Sequence, residues 1–119
     1  MGSEIKVIAD AMLEKKAQDV VSLDLTKIGT AIADDFVICN ADSTTQVVAI
    51  SDNVEEKMEA VCGRSPLRKQ GRENAFWVIL DYGDIVVHIF MTDQRLFYRL
   101  EDLWADAVKT TYTDEEDGK

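Results

Sequence analysis

The spacing of hydrophobic positions changes several times along this 119-residue chain, and each change marks an element. Ile5, Ile8, Ala9, Met12 and Leu13 recur at helical spacing, with Ser3 available as N-cap, which predicts a helix over about residues 3–16. Residues 20–26, VVSLDLT, are short, β-branched and alternating, and read as a strand. Gly29 breaks the chain, and residues 35–41, DFVICNA, predict a second strand. Ser43 then opens a helix, with Gln46 placed to complete a capping box. Val47, Ile50, Val54, Met58 and Val61 follow at spacings of three or four, and Gly63 stands where a C-terminal cap belongs. The outer face of that helix, with Asp52, Glu55, Glu56 and Glu59, reads as solvated.

Residues 63–73, GRSPLRKQGRE, hold the only proline, two glycines and four basic residues, Arg64, Arg68, Lys69 and Arg72. Proline and glycine this close predict an irregular loop. Two readings of its charge stay open: a local phosphate contact, or a solvated connector paired with nearby acids. Residues 76–90, FWVILDYGDIVVHIF, then read as a hairpin whose two central turn residues are Tyr82 and Gly83. That register pairs Leu80 with Ile85, Val78 with Val87 and Trp77 with His88. One face carries Phe76, Val78, Leu80, Ile85, Val87 and Ile89, all apolar, and must be core. The other carries Trp77, Ile79, Asp81, Asp84, Val86, His88 and Phe90, an apolar patch edged with charge of the kind that marks interaction sites.

Beyond the hairpin, Leu96, Phe97, Leu100, Leu103, Trp104 and Ala107 share one face of a helix capped by Thr92 or Asp93. This helix is expected to lay Phe97, Leu100 and Trp104 over one end of the mixed face, leaving the other end open. The order helix, two strands, helix, two strands, helix predicts a single compact α/β domain with a small mixed β-sheet flanked by helices. Its expected extent is 1–110, with 111–119 an acidic, flexible tail.

A composition of 46% hydrophobic and 30% charged residues is that of a globular domain and excludes disorder as a whole-chain description. No apolar run reaches the roughly 18 residues of a bilayer span, so no membrane association is expected. The first twenty residues include Glu4, Asp10, Glu14 and Asp19, whereas targeting segments are poor in acids; a cytoplasmic protein is the expectation. Lys6 stands where a myristoylation signal wants Ser or Thr. Cys39 and Cys62 are too few and too far apart for a metal knuckle, and read as small buried hydrophobes. With 13 Lys+Arg against 23 Asp+Glu, the formal net charge is −10. Such a surface repels phosphate backbones, so no specific nucleic-acid binding is expected. It suits docking onto a basic protein, and it equally serves solubility.

His88 near Asp81 or Asp84 invites an acid–base reading. Yet the stretch has no serine or cysteine nucleophile, the chain has one histidine, and carboxylates beside a turn are commonly turn residues. No glycine-rich phosphate loop occurs either. The expectation is no catalytic residue, no metal and no cofactor.

At these residues the sequence resembles a known family. FWVILDYGDIVVHIF, with RLFYRLEDLWADA at 95–107 and DLTKIGTAIADDFVICNADSTTQVVAISDNVEEKM at 24–58, is similar to the Iojap family of ribosomal silencing factors, over about residues 5–107. The resemblance implies a factor that binds the large ribosomal subunit through a basic ribosomal protein at the subunit-joining surface. There it blocks association of the small subunit sterically, lowers translation when nutrients are short, and forms a homodimer when free. Carried over by position, Trp77, Asp81, Tyr82, Asp84 and His88 match the hairpin motif, and Phe97, Tyr98 and Trp104 the helix motif. The expected partner-binding set is Trp77, Asp81, Tyr82, Asp84, His88, Phe97 and Tyr98. Trp77 and Tyr98 would be apolar anchors, Asp81 and Asp84 would meet basic groups, and His88 would hold the pocket in shape. Trp104 is assigned to core, and Arg64, Arg68, Lys69 and Arg72 are left as a peripheral rRNA contact.

The family fold is nucleotidyltransferase-like, which raises an enzyme as a rival. Those enzymes use two carboxylates one residue apart on a strand to organise divalent metal. Here Asp24 fills the first place and Thr26 the second, so the catalytic carboxylate pair is missing. A third alternative is a non-enzymatic adaptor for some other basic protein.

Overall fold

A computed structural model describes residues 2–29, 31 and 33–113. A six-stranded mixed sheet in the order β3-β4-β5-β2-β1-β6 forms its centre. Helix α1 (Gly2–Glu14) leads into β1 (Gln18–Asp24) and β2 (Asp35–Ala41). Helix α2 (Thr44–Lys57) passes into a π-helical turn (Met58–Cys62), followed by β3 (Arg68–Gln70), β4 (Trp77–Asp81) and β5 (Ile85–Met91). Two short helices, α3 (Thr92–Tyr98) and α4 (Leu100–Leu103), and an edge strand β6 (Val108–Tyr112) complete it. The central pair, β2 with β5, is parallel; every other pair is antiparallel.

The expected single α/β domain with a mixed sheet flanked by helices is the observed one, with four corrections. The first concerns the supposed loop, in which β3 pairs Arg68, Lys69 and Gln70 with Asp81, Leu80 and Ile79. Pro66 and Gly71 flank this strand and do not interrupt it, and its three residues are all exposed, so no apolar alternation announces it. The second is β6, where VKTTY pairs antiparallel with β1 through Tyr112. A domain edge at 110 therefore falls inside a strand; residues 114–119 lie outside the described residues. The third is the final helix, which breaks at Arg99 in the left-handed conformation (φ 51°, ψ 51°). Met91 precedes it, with neither Thr92 nor Asp93 as cap. The fourth is the start of α1, which begins at Gly2, so that Ser3 lies within the helix and not at the position before it.

Elsewhere the local chemistry acts as read. The Ser43 side chain accepts the Gln46 backbone N–H at 3.1 Å, while the Gln46 amide reaches across to the carbonyls of Lys15 and Lys16 and leaves the capping box half made. Gly63 takes positive φ (67°) and caps the helix end. The π turn before it advances more than 3.6 residues per revolution, which rotates Val61 out of the stripe to 66% exposure. Cys39 is buried, and burial pushes its thiol up to about 12; Cys62 is only partly buried.

Two cores result. Alternate residues of the strands, including Val37, Val78, Leu80, Val87 and Ile89, pack under α1 and α2 with Ile8, Met12, Ile50 and Met58. On the opposite face Val21, Leu23, Phe36, Ile38, Val86 and Phe90 are covered by Leu100, Trp104, Ala107 and the segment with Ile28 and Ala31.

Candidate functional site

The hairpin that dominates the sequence turns one residue later than expected. Tyr82 N–H donates to the Ile85 carbonyl at 2.9 Å, so Gly83 and Asp84 are the central residues, with Gly83 at φ 93°. Asp81 stabilises the turn by accepting the Gly83 N–H at 2.8 Å. The register therefore pairs Trp77 with Phe90, Ile79 with His88 and Leu80 with Val87. Trp77's partner moves by two positions, an even number, so Val78, Leu80, Ile85, Val87 and Ile89 stay on one face and Trp77, Ile79, Val86, His88 and Phe90 on the other. Phe76, expected in the core, precedes β4 and is 50% exposed. Trp77 and His88 are no longer opposite one another, but they still meet: the indole N–H donates to His88 Nδ1 at 3.1 Å.

On this face the aromatic rings form a continuous series. The Trp77 indole stacks on Phe90 at 4.8 Å and 28°, and Tyr98 packs against it at 4.9 Å. Phe97 meets Tyr98 edge-on at 5.1 Å. Inward, His88 sits against the edge of Phe36 at 4.6 Å, and Phe36 against Trp104 at 6.0 Å. The inner rings are buried and the outer ones open: Phe90 is fully enclosed, Trp77 is partly buried, Tyr98 is 48% exposed and Phe97 77%. Leu96, Leu103 and Phe76 are exposed as well. The break at Arg99 explains the division. It turns Leu100 and Trp104 down onto the sheet while leaving Phe97 and Leu103 outside, where a continuous helix was expected to bury them.

Of the expected partner-binding set, Trp77, Phe97 and Tyr98 come together here, with His88 beneath and Asp81 at the far end of β4. Tyr82 and Asp84 do not. Tyr82 is 2% exposed in the closed core, its hydroxyl raised in pKa chiefly by burial. Asp84 binds Arg64 at 2.8 Å on the helical side, a bond that lowers its carboxyl below the usual range. The turn shift accounts for both: just before the turn, Tyr82 continues the alternation of Val78 and Leu80 and points inward, and as a turn residue Asp84 is free to meet Arg64. His88 is 5% exposed, so it lies behind the surface; burial pushes its imidazole down to about 4, against a smaller upward pull from Asp81.

All four basic loop residues are paired with acids. Arg64 bridges Glu4 and Asp84, Arg68 meets Asp81, Lys69 meets Glu55 and Arg72 meets Asp52. The connector alternative thus describes this segment. On the outer face of the α2 segment Asp52, Glu56 and Glu59 are exposed as expected, while Lys69 and Arg72 pair with Glu55 and Asp52. At the former enzyme position, Asp24 accepts from the Thr26 backbone N–H and hydroxyl at 2.9 and 2.6 Å, and it faces Asp35 across β1 and β2. Among the described residues no group of three or more His, Cys, Asp or Glu is arranged to hold a metal.

Arg95 was missed by the sequence reading. Its guanidinium, 8% exposed, donates to the Asp19 carbonyl and Asn40 Oδ1, both at 2.7 Å, and to both carboxylate oxygens of Glu101. It ties α3 and α4 to β1 and β2, below the break that exposes Phe97. An arginine and a glutamate six apart make no helical pair, so nothing in the local pattern reveals it.

Comparison with known proteins places this geometry. Residues 2–119 match the family model described as ribosomal silencing factor during starvation. The chain is 39% identical over 105 residues to the ribosomal silencing factor of Bacillus subtilis, covering 88% of this chain and 87% of that one. It is 42% identical over 103 residues to that of Halalkalibacterium halodurans, covering 87% and 86%. A crystal structure of a Chromobacterium violaceum protein superposes with a TM-score of 0.83 at 30% identity, over 88% of this chain and 86% of that one. By family model, sequence and fold alike, the chain belongs to the ribosomal silencing factor family.

Proposed function

We propose that this protein binds the large ribosomal subunit through a basic ribosomal protein at the subunit-joining surface and sterically prevents the small subunit from associating. It thereby represses translation under nutrient limitation, acting in the cytoplasm as a plug, with no chemistry of its own. The observation that carries this reading is the exposed aromatic series Phe97–Tyr98–Trp77 on a member of a family named for ribosomal silencing. Aromatic groups backed by buried rings are the side chains that dominate protein-binding energy. A net charge of −10 suits a basic partner and speeds encounter with it. Asp81, paired with Arg68 only at 3.5 Å, is the carboxylate of this face that a partner's cation would recruit. When free, the protein forms a homodimer.

The deciding experiment is co-sedimentation with purified large subunits, comparing wild type with Trp77→Ala after a fold check on each. Wild type pelleting and folded Trp77→Ala remaining in solution supports the reading. If neither pellets, the reading fails and the face serves another basic protein. If both pellet equally, the contact lies elsewhere.

A further inference from the structure

His88 stands at the centre of the aromatic face yet cannot touch a docked protein, since only 5% of it is exposed. Three aromatic rings surround it: Phe36 at 4.6 Å, Trp77 at 6.0 Å and Phe90 at 6.3 Å. Its Nδ1 accepts the Trp77 indole N–H. A neutral imidazole carries one ring proton, so with Nδ1 accepting, that proton lies on Nε2. The Nε2–H is buried and has no hydrogen-bond partner among the described residues. Leucine or phenylalanine would fill this space without stranding a donor. Packing alone therefore does not account for an imidazole here. What it provides, and an apolar side chain does not, is the acceptor at Nδ1.

That acceptor completes the restraint on Trp77. Contacts with Phe90 and Tyr98 hold the indole in place but do not choose which ring edge faces outward. The N–H···Nδ1 bond chooses, because only one indole orientation aims the N–H inward. We infer that His88 is a positioning residue for the docking face: as a neutral imidazole protonated on Nε2, it holds the Trp77 indole in the single orientation that the partner meets. The inference rests on the reading of this face as a docking surface, and it names a determinant that never reaches the partner.

Two measurements test it. In nitrogen-15 NMR of the free protein, the two tryptophans give two indole N–H signals, and Trp77→Phe identifies its own by loss. The Trp77 proton should exchange slowly with solvent in wild type and about tenfold or more faster in His88→Leu, which removes the acceptor. His88→Asn, whose amide oxygen can occupy the Nδ1 position, should recover part of the protection. Unchanged protection in His88→Leu overturns the inference. In co-sedimentation with large subunits, His88→Leu and Trp77→Phe should each weaken binding about tenfold, and the double variant no further, since both break one bond. Additive losses mean that His88 acts by packing alone, and undiminished binding of Trp77→Phe sinks the inference even if His88→Leu fails to fold. If wild type does not pellet, the docking reading fails, while indole exchange still decides whether His88 fixes the ring.

Discussion

The two faces of the central hairpin are made of alternate residues of the same two strands, yet one is sealed and the other is not. Val78, Leu80, Val87 and Ile89 lie under α1 and α2 with at most 1% of their surface exposed. Across the sheet Trp77 and Ile79 remain partly open. Apolar content does not separate them; helix length does. Helices α1 and α2 run 13 and 14 residues, whereas α3 and α4 run 7 and 4 with a left-handed residue between them. A seven-residue helix is about 10 Å long, while six strands at about 4.8 Å spacing span roughly 24 Å. The short pair covers Val21, Leu23, Phe36, Val86 and Phe90 of β1, β2 and β5 and leaves β4 showing. One face is thus sealed, and the other is divided between core and an exposed aromatic patch.

The contrast can be broken from either side. The largest effect is expected on the sealed face: Leu80→Ala should cost about 2–5 kcal/mol in chemical denaturation, while the fraction still folded binds large subunits as wild type does. Next comes His88, the buried ionisable group of the open face. Its folded pKa, about 4, lies below the ordinary 6.5, so between those values the unfolded chain binds the proton and the folded one does not. Stability should therefore be undiminished above pH 6.5 and fall by roughly 3 kcal/mol by pH 4. His88→Leu should lack that component, and the difference between the two proteins' pH profiles isolates it from the carboxylates. A smaller and opposite pattern is expected of Phe97→Ala. Stability should stay within about 0.5 kcal/mol, but binding should weaken by about 2 kcal/mol, roughly 30-fold; unchanged binding would remove Phe97 from the surface. Smallest is Arg72→Ala, which breaks an exposed pair with Asp52 and should cost about 0.2–1 kcal/mol. A salt-sensitive loss of subunit binding in that variant would restore a phosphate contact to the basic segment.

Much of this contrast was legible in the chain. Period-two alternation assigned Val78, Leu80, Val87 and Ile89 to one face and Trp77, Ile79, His88 and Phe90 to the other. Ser43 and Gly63 marked the ends of the helical segment over α2 and its π turn. What escaped was set by long-range contacts. Strand β3 exists because β4 has a free edge, and its own residues are all polar. The turn shift follows from Tyr82 finding a place in the core, which local preference for a glycine turn could not foresee. The break at Arg99 occurs at a residue with no helix-breaking tendency, where the buried Arg95 of α3 holds both β1 and β2 and draws in Glu101 of α4. The exposure of Leu96, Phe97 and Leu103 depends on that break, so helical periodicity alone assigned them to the core.

The parallel pair at the middle of the sheet bears on how the protein comes into being. Every rung between β2 and β5, from Asp35 with Ile85 to Ala41 with Met91, joins residues fifty positions apart. Contacts of such separation close late in folding, because the loop between them must be ordered first. Phe36 and His88 meet only when that pairing forms, and Tyr98 can flank Trp77 only after β5 and α3 have been synthesised. A growing chain therefore has no finished aromatic face until Tyr98 has left the exit tunnel. The exposed aromatic patch is thus among the last parts of the domain to be assembled.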